Sequence, residues 1–364
     1  MQRALDLAKQ GQGRVEPNPM VGCVIVRDGG LVAEGFHRAF GGPHAEAAAL
    51  ASLKSPGDAK NATAYVTLEP CCHQGKTPPC SQALIAAGVS RVVVATEDPF
   101  PQVNGGGLSQ LADAGIETTV GVLRSDAQAL LAPYLKKTRT GLPWVIAKWA
   151  MTLDGRIATV AGQSQWITSP PSRAEVHQLR SRVDAVAVGM GTVVADDPSL
   201  NARLPDGQAA LRTATRLVYC RNRVPDLQSK LIQSAADHPL LLVANDSISK
   251  SQLQPLIDAD AEVLTIGAGS AVEMVEKSLS ELGDRGMTNV MVEGGGELLA
   301  SFFEAGQIDE CHIYLGAKIV GGSSAAGPIG GHGISEMANA VEMEMVEITP
   351  LGSDLRAVYR KKAN

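Results

Sequence analysis

The chain has 364 residues, 45% hydrophobic and 19% charged, which is more than one hydrophobic core usually organises, so two domains are expected. A net charge of −6 and a pI near 5.7 argue against duplex nucleic acid as the main partner, because phosphate binding needs clustered Lys and Arg. With 38 glycines and only 4% aromatics, the composition indicates tightly turned α/β packing rather than disorder.

Along residues 1–13, Arg3, Asp6 and Lys9 stand among Ala and Leu at helical spacing, which predicts an amphipathic helix and not the apolar core of a secretory signal. No membrane-spanning run is read. The apolar stretch Val21 to Arg27, the turn Asp28-Gly29-Gly30 and the return Leu31-Val32-Ala33 predict a hairpin. A helix is expected from His44 to about Lys54, a strand over Ala64 to Leu68, and a helix from Cys80 through Ala87, ended by Gly88. Arg91 to Ala95 reads as a buried strand and Leu108 to Ala114 as a helix.

The basic, breaker-containing segment Lys136 to Pro143 marks the domain boundary, giving domains 1–139 and 140–364. Beyond it, strands are expected over Trp144 to Trp149, Ala185 to Val188, Leu217 to Cys220, Leu240 to Ala244 and Val290 to Val292. A helix over Ser172 to Arg182 and late strands near Cys311 to Leu315 and Leu355 to Arg360 complete a mixed sheet.

The chemistry is concentrated in Pro43-His44-Ala45-Glu46 and in the stretch from Pro70-Cys71-Cys72-His73 to Pro78-Pro79-Cys80. A lone His-x-Glu is usually a solvated turn and a cysteine pair in a proline-rich loop is ambiguous, but together they have the composition of a metal site. His44, Cys71 and Cys80 fill three corners of a tetrahedral zinc and leave the fourth to water, as catalytic sites do. Glu46 is then placed to carry a proton to a leaving amine, which matches the pattern of zinc deaminases. His44 and Cys80 both begin helices, whose positive ends favour thiolate. Cys72 reads as a small packed neighbour and His73 as a weak ligand candidate, since a fourth protein ligand would close the site. The other cysteines, Cys23, Cys220 and Cys311, are scattered, which suits a reducing cytoplasm and no disulfide framework.

Two glycine-bearing turns follow strands in the second half, Gly189-Met190-Gly191-Thr192 and Gly294-Gly295-Gly296. The latter opens a helix expected over Glu297 to Phe303, where backbone N–H groups favour an anion. Neither is the G-x-G-x-x-G of a Rossmann domain.

The long loop between Cys71 and Cys80, with Gly75-Lys76-Thr77 inside it, resembles the pyrimidine deaminase of riboflavin biosynthesis more than cytidine or tRNA-adenosine deaminases. Lys148 to Arg156, Ser164 to Thr168, the turn at Gly189 with Asp196-Asp197-Pro198, and Val292 to Gly296 resemble the reductase half of the same bifunctional family. The resemblance covers nearly the whole chain, most specifically from Asn18 to Asp98 and from Lys148 to Arg203. It implies an α/β chain with a cytidine-deaminase-like α/β/α domain followed by a dihydrofolate-reductase-like α/β domain, with Zn2+ and NADPH as cofactors. The implied reactions are deamination of 2,5-diamino-6-(5-phosphoribosylamino)pyrimidin-4-one and NADPH-dependent reduction of the ribosyl group of the aminouracil product to ribityl.

By motif position, the resemblance places Asn18, His37, Lys76 and Asp98 around the deaminase substrate. It gives the reductase substrate to Ser164, Arg180, Leu200, Arg203 and Glu293, and NADPH to Ala150, Trp166, Thr192, Asp196 and the loop at Gly295 and Gly296. Arg180 and Arg203 suit a bidentate grip on a phosphomonoester, and Lys148 suits polarisation or protonation of the ring-opened sugar. The family often has Asn where Phe100 stands, so one hydrogen bond to substrate is expected to be missing or supplied by water. The expected partners are small phosphorylated pyrimidines, with no nucleic acid and no membrane, and the expected assembly is a homo-oligomer. Two rival readings fit less well. A nucleic-acid deaminase with an appended nucleotide-binding module wants basic or aromatic surface that the composition lacks, and a zinc-stabilised regulator has no use for Glu46.

Overall fold

The computed structural model describes residues 1–74, 78–204 and 210–362. It divides into two compact units, Met1–Leu142 and Pro143–Asn364.

In the first unit, α1 (Gln2–Ala8) precedes the hairpin β1 (Gly22–Arg27) and β2 (Gly30–Phe36). There follow α2 (Ala45–Ala51), β3 (Thr63–Val66), α3 (Cys80–Ala86), β4 (Arg91–Val94), α4 (Gly106–Asp113), β5 (Glu117–Val120) and α5 (Arg124–Thr140). The sheet order is β2-β1-β3-β4-β5, antiparallel across the first three strands and parallel from β3 to β5. Parallel neighbours need crossover helices, and α3 and α4 supply them. The core joins Ile25, Val66, Val92 and Val94 of the strands to Ala45, Ala49, Leu84 and Leu111 of the helices. Small alanines let α2 sit close to the sheet, which brings its first turn, with His44 and Glu46, over the strand ends.

Residues 136–140, read from sequence as a breaker segment, are the last turn of α5, and the chain leaves that helix through Gly141 in the left-handed region.

The second unit contains β6 (Trp144–Thr152), α6 (Pro170–Arg180), β7 (Ala185–Gly189), α7 (Met190–Asp196), β8 (Thr215–Cys220), α8 (Lys230–Gln233), β9 (Leu240–Asn245) and α9 (Lys250–Ile257). It continues with β10 (Glu262–Ile266), α10 (Ala271–Asp284), β11 (Asn289–Glu293), α11 (Gly296–Glu304), β12 (Glu310–Gly316), β13 (Met343–Leu351) and β14 (Asp354–Lys361). These strands form one sheet in the order β10-β9-β8-β7-β11-β6-β12-β14-β13. It is parallel from β10 to β12, with β14 and β13 antiparallel at one edge.

Uninterrupted apolar runs such as Ala185 to Val188 and Leu240 to Ala244 are buried throughout, as a covered parallel strand requires. The expected turn at Gly189 to Thr192 is instead the start of α7. Among the described residues, no helix is long and apolar enough to cross a membrane.

Candidate functional site

In the first unit, Nδ1 of His44 lies 3.5 Å from Sγ of Cys71 and 3.4 Å from Sγ of Cys80. All three ligand atoms fall within 4.8 Å of one another. Tetrahedral zinc, with bonds of about 2.3 Å to sulfur and 2.0–2.1 Å to nitrogen, separates such ligands by about 3.6 Å, close to both distances from His44. His44 caps α2 and Cys80 opens α3, while Cys71 follows the exit of β3.

The hydrogen bond from Cys80 holds the Cys71 thiol down at about 4, while the same bond pushes Cys80 upward. A dication among them is what lets both serve as thiolates. Glu46, only 3% exposed, stands beside this group. Burial, reinforced by the charge on Cys71, pushes its carboxyl up to about 7, the range of a group that both takes and returns a proton near neutrality. Sγ of Cys72 points elsewhere, donating to the carbonyls of Gln102 at 3.3 Å and Val103 at 3.9 Å.

A cleft of about 580 Å³ opens onto Glu46, lined among others by Asn18, His37, His73, Asp98 and Tyr134. Nδ1 of His37 donates to the carbonyl of Pro43 at 2.9 Å, which leaves Nε2 to accept from Nδ2 of Asn18 at 3.1 Å. Burial lowers the pKa of His37, so the imidazole enters the site neutral. Asp98 accepts from the backbone N–H of Phe100 at 3.0 Å and from the Tyr134 hydroxyl at 2.9 Å. Phe100 itself sets its ring 6.0 Å from that of His73, an aromatic contact where an amide was the family expectation. Lys76, expected at the substrate phosphate, lies outside the described residues. Tyr134, not anticipated from sequence, sits on α5, a helix whose residues before Lys136 were assigned to no element.

In the second unit a cleft of about 720 Å³ gathers Lys148, Ala150, Ser164, Trp166, Arg180, Thr192, Asp196, Leu200, Arg203, Glu293 and Gly295. Glu293 and Lys148 are register partners on the parallel pair β11 and β6, so both side chains emerge on one face. Arg180 of α6 closes on Glu293 with both prongs, at 2.6 and 2.7 Å, and its third nitrogen donates to the carbonyl of Asn201 at 3.3 Å. Arg180, expected at the reductase substrate, thus lines the cleft with its guanidinium engaged by Glu293 and Asn201. Arg203 is exposed at the rim, with its backbone N–H bonded to Nδ1 of His177 at 3.2 Å. Leu200 belongs to the hydrophobic core as well as to the cleft wall.

Gly294 and Gly295 have φ of +71° and +77°, and a Cβ on Gly295 would stand 3.0 Å from Oγ1 of Thr192. That bare backbone beside a hydroxyl is a fitting cradle for a nucleotide's pyrophosphate. The carbonyl of Gly296, the next residue, accepts from the N–H of Gly330 at 3.0 Å. Sequence reasoning overlooked His177, although it lies one helical turn from Arg180 on α6. Burial, with Arg180 and Arg203 nearby, holds His177 down at about 4. It also overlooked Arg173, whose guanidinium stacks 4.5 Å from the Trp166 ring.

Residues 1–96 match the model of the cytidine and deoxycytidylate deaminase zinc-binding region, and residues 143–357 match that of the RibD C-terminal domain. The riboflavin biosynthesis protein RibD of Actinobacillus pleuropneumoniae is 40% identical over 362 residues, covering 99% of this chain and 94% of its own length. The protein of the same name from Escherichia coli K12 is 38% identical, covering 98% and 96%. Among solved structures, Acinetobacter baumannii RibD superposes with a TM-score of 0.85 at 36% identity, covering 100% of this chain and 98% of its own. A Thermotoga maritima protein named diaminohydroxyphosphoribosylaminopyrimidine deaminase/5-amino-6-(5-phosphoribosylamino)uracil reductase superposes with 0.84 at 34%, covering 100% and 97%.

The fold and its first site therefore define a zinc-binding deaminase carried on one chain with a reductase. The chain belongs to the RibD family of bifunctional riboflavin biosynthesis deaminase-reductases.

Proposed function

We propose that the first unit deaminates 2,5-diamino-6-(5-phosphoribosylamino)pyrimidin-4-one and that the second reduces the ribosyl group of the resulting aminouracil with NADPH. The observation that carries this reading is the buried carboxylate of Glu46 next to a three-ligand His44, Cys71 and Cys80 group, at the floor of a cleft large enough for a nucleotide. The name of the Thermotoga maritima relative supports the same pair of substrates.

Zinc held by His44, Cys71 and Cys80 supplies Lewis-acid activation of water. Glu46 takes the proton of the attacking water and returns it to the departing amine, and its raised pKa suits both transfers. Asn18 and Asp98 present polar edges to the ring, with His37 orienting Asn18. Lys76 is assigned to the phosphate.

In the second unit NADPH supplies the hydride. Gly295 and Thr192 form the cofactor cradle, with Ala150, Trp166, Asp196 and Gly296 assigned around it. Arg203 and Ser164 hold the sugar phosphate, and the Arg180 and Glu293 pair orients Lys148 toward the opened ribosyl group. Burial lowers the pKa of Lys148, which makes its ammonium a better proton donor to that carbonyl.

The test is to incubate purified protein with the diaminopyrimidine phosphate, with and without NADPH, following ammonia and NADPH absorbance. Ammonia should appear without NADPH, and NADPH should be consumed once deaminated product is present. NADPH consumption with no ammonia release would contradict the order proposed.

A further inference from the structure

Glu69 immediately precedes the Pro70-Cys71 ligand turn and is 3% exposed. Its carboxylate accepts four backbone N–H groups: Oε2 from Asp98 at 3.3 Å and Gly105 at 3.1 Å, Oε1 from Gly107 at 3.0 Å and Leu108 at 3.2 Å. All four donors lie on residues 98–108, a stretch that supplies Asp98, Phe100, Pro101 and Val103 to the wall of the deaminase cleft. Capping of α4 accounts for Gly105, its N-cap, and for Gly107 and Leu108, but not for Asp98, which lies well before that helix.

The same two segments touch at a second point. A Cβ on Gly107 would fall 2.0 Å from the carbonyl oxygen of Pro70, so only glycine lets the start of α4 reach the ligand turn. A carboxylate whose lone pairs already hold four N–H groups has none left for a proton of the substrate.

We infer that Glu69 is a positioning residue: its carboxylate ties the substrate-facing segment 98–108 to the zinc-ligand turn and thereby fixes Asp98 relative to His44, Cys71 and Cys80. The inference rests on the deaminase reading given above. Glu69 acts through Asp98 and the loop, not on the reacting atoms.

In the full chain, Glu69→Gln keeps one acceptor oxygen and turns the other into a donor facing N–H groups, so half of the clamp is lost. Zinc content should stay unchanged, KM for the diaminopyrimidine phosphate should rise by about tenfold or more, and kcat should fall by less than KM rises. Amide exchange over residues 98–108 should accelerate. NADPH-dependent reduction by the same preparation should be normal, which verifies that the rest of the chain is folded. Gly107→Ala keeps the carboxylate but forces the start of α4 off the Pro70 carbonyl and strains the Gly107 contact with Glu69, so it should reproduce the KM effect with zinc retained. Loss of zinc from Glu69→Gln, or an unchanged KM and unchanged exchange in that segment, would overturn the inference. Wild-type protein in the same assay separates the two claims: failure of wild type to release ammonia sinks the deaminase reading, whereas normal wild-type turnover with an unaffected variant sinks only the role of Glu69.

Discussion

Arg180 and Glu293 form a two-pronged buried ion pair at 2.6 and 2.7 Å, and Lys148 stands 3.9 Å from the same carboxylate. The pair is the internal electrostatic anchor of the reductase cleft, since one carboxylate balances two desolvated cations there.

That arrangement makes the second unit sensitive to acid. Desolvation alone would raise the pKa of Glu293, but Arg180 and then Lys148 outweigh it and hold the carboxyl at about 2, below its ordinary 4.5. Because the folded value lies below the unfolded one, the pair stabilises fully above pH 4.5, and that stability is lost as the pH falls toward 2. The shift corresponds to about 3 kcal/mol. Glu293→Gln should destabilise the reductase unit by about 3–5 kcal/mol at pH 7, because two buried cations lose their counter-charge. Urea unfolding at pH 7 and pH 3 checks this: the gap between wild type and variant should narrow at the lower pH. An equal gap at both values would show that the carboxylate charge is not responsible.

Cysteine replacement separates ligand from neighbour. Cys71→Ser and Cys80→Ser should each deplete zinc, whereas Cys72→Ser should retain it, because the Cys72 sulfur is directed at the carbonyls of Gln102 and Val103. Metal analysis of the three purified variants is the measurement. Zinc lost from Cys72→Ser and kept in Cys71→Ser would reverse the assignment.

Binding of cofactor and of sugar phosphate should separate in the second cleft. Gly295→Val meets both a left-handed backbone and the Thr192 hydroxyl 3.0 Å from the first added carbon, so NADPH affinity should fall at least tenfold with deamination intact. Arg203→Ala should instead raise KM for the phosphorylated substrate by about ten- to a hundredfold, as loss of a charge-assisted contact implies, with NADPH titration little changed. Normal NADPH binding by Gly295→Val in fluorescence titration would remove Gly295 from the cofactor site.

How much was legible in the sequence depended on the kind of signal. Uninterrupted apolar runs such as Val290 to Val292 revealed the central strands, and His44, Cys71 and Cys80 were legible because metal chemistry restricts residue types. The edge strands β5, β10 and β13 were missed. Their residues are partly exposed, and β13 shows water nearly its whole length, which removes the hydrophobic pattern. The last turn of α5 was hidden because Lys136, Lys137 and Arg139 crowd it, a charge placement that favours a helix C-terminus but reads as a linker. Pairwise closure was not legible at all. Nothing in the spacing of Arg180 and Glu293, or of Glu69 and Gly105, announces that they meet, because the sheet order brings them together.

The most direct test of the account is Glu46→Gln in the intact chain, assayed for zinc, for ammonia release and for NADPH-dependent reduction of supplied aminouracil. Zinc should be retained and reduction should persist, while deamination falls by about 10²–10⁴-fold, since only the proton carrier has been removed. Ammonia release at a near-normal rate would contradict the assigned mechanism, and loss of reduction together with deamination would contradict two independent sites on one chain.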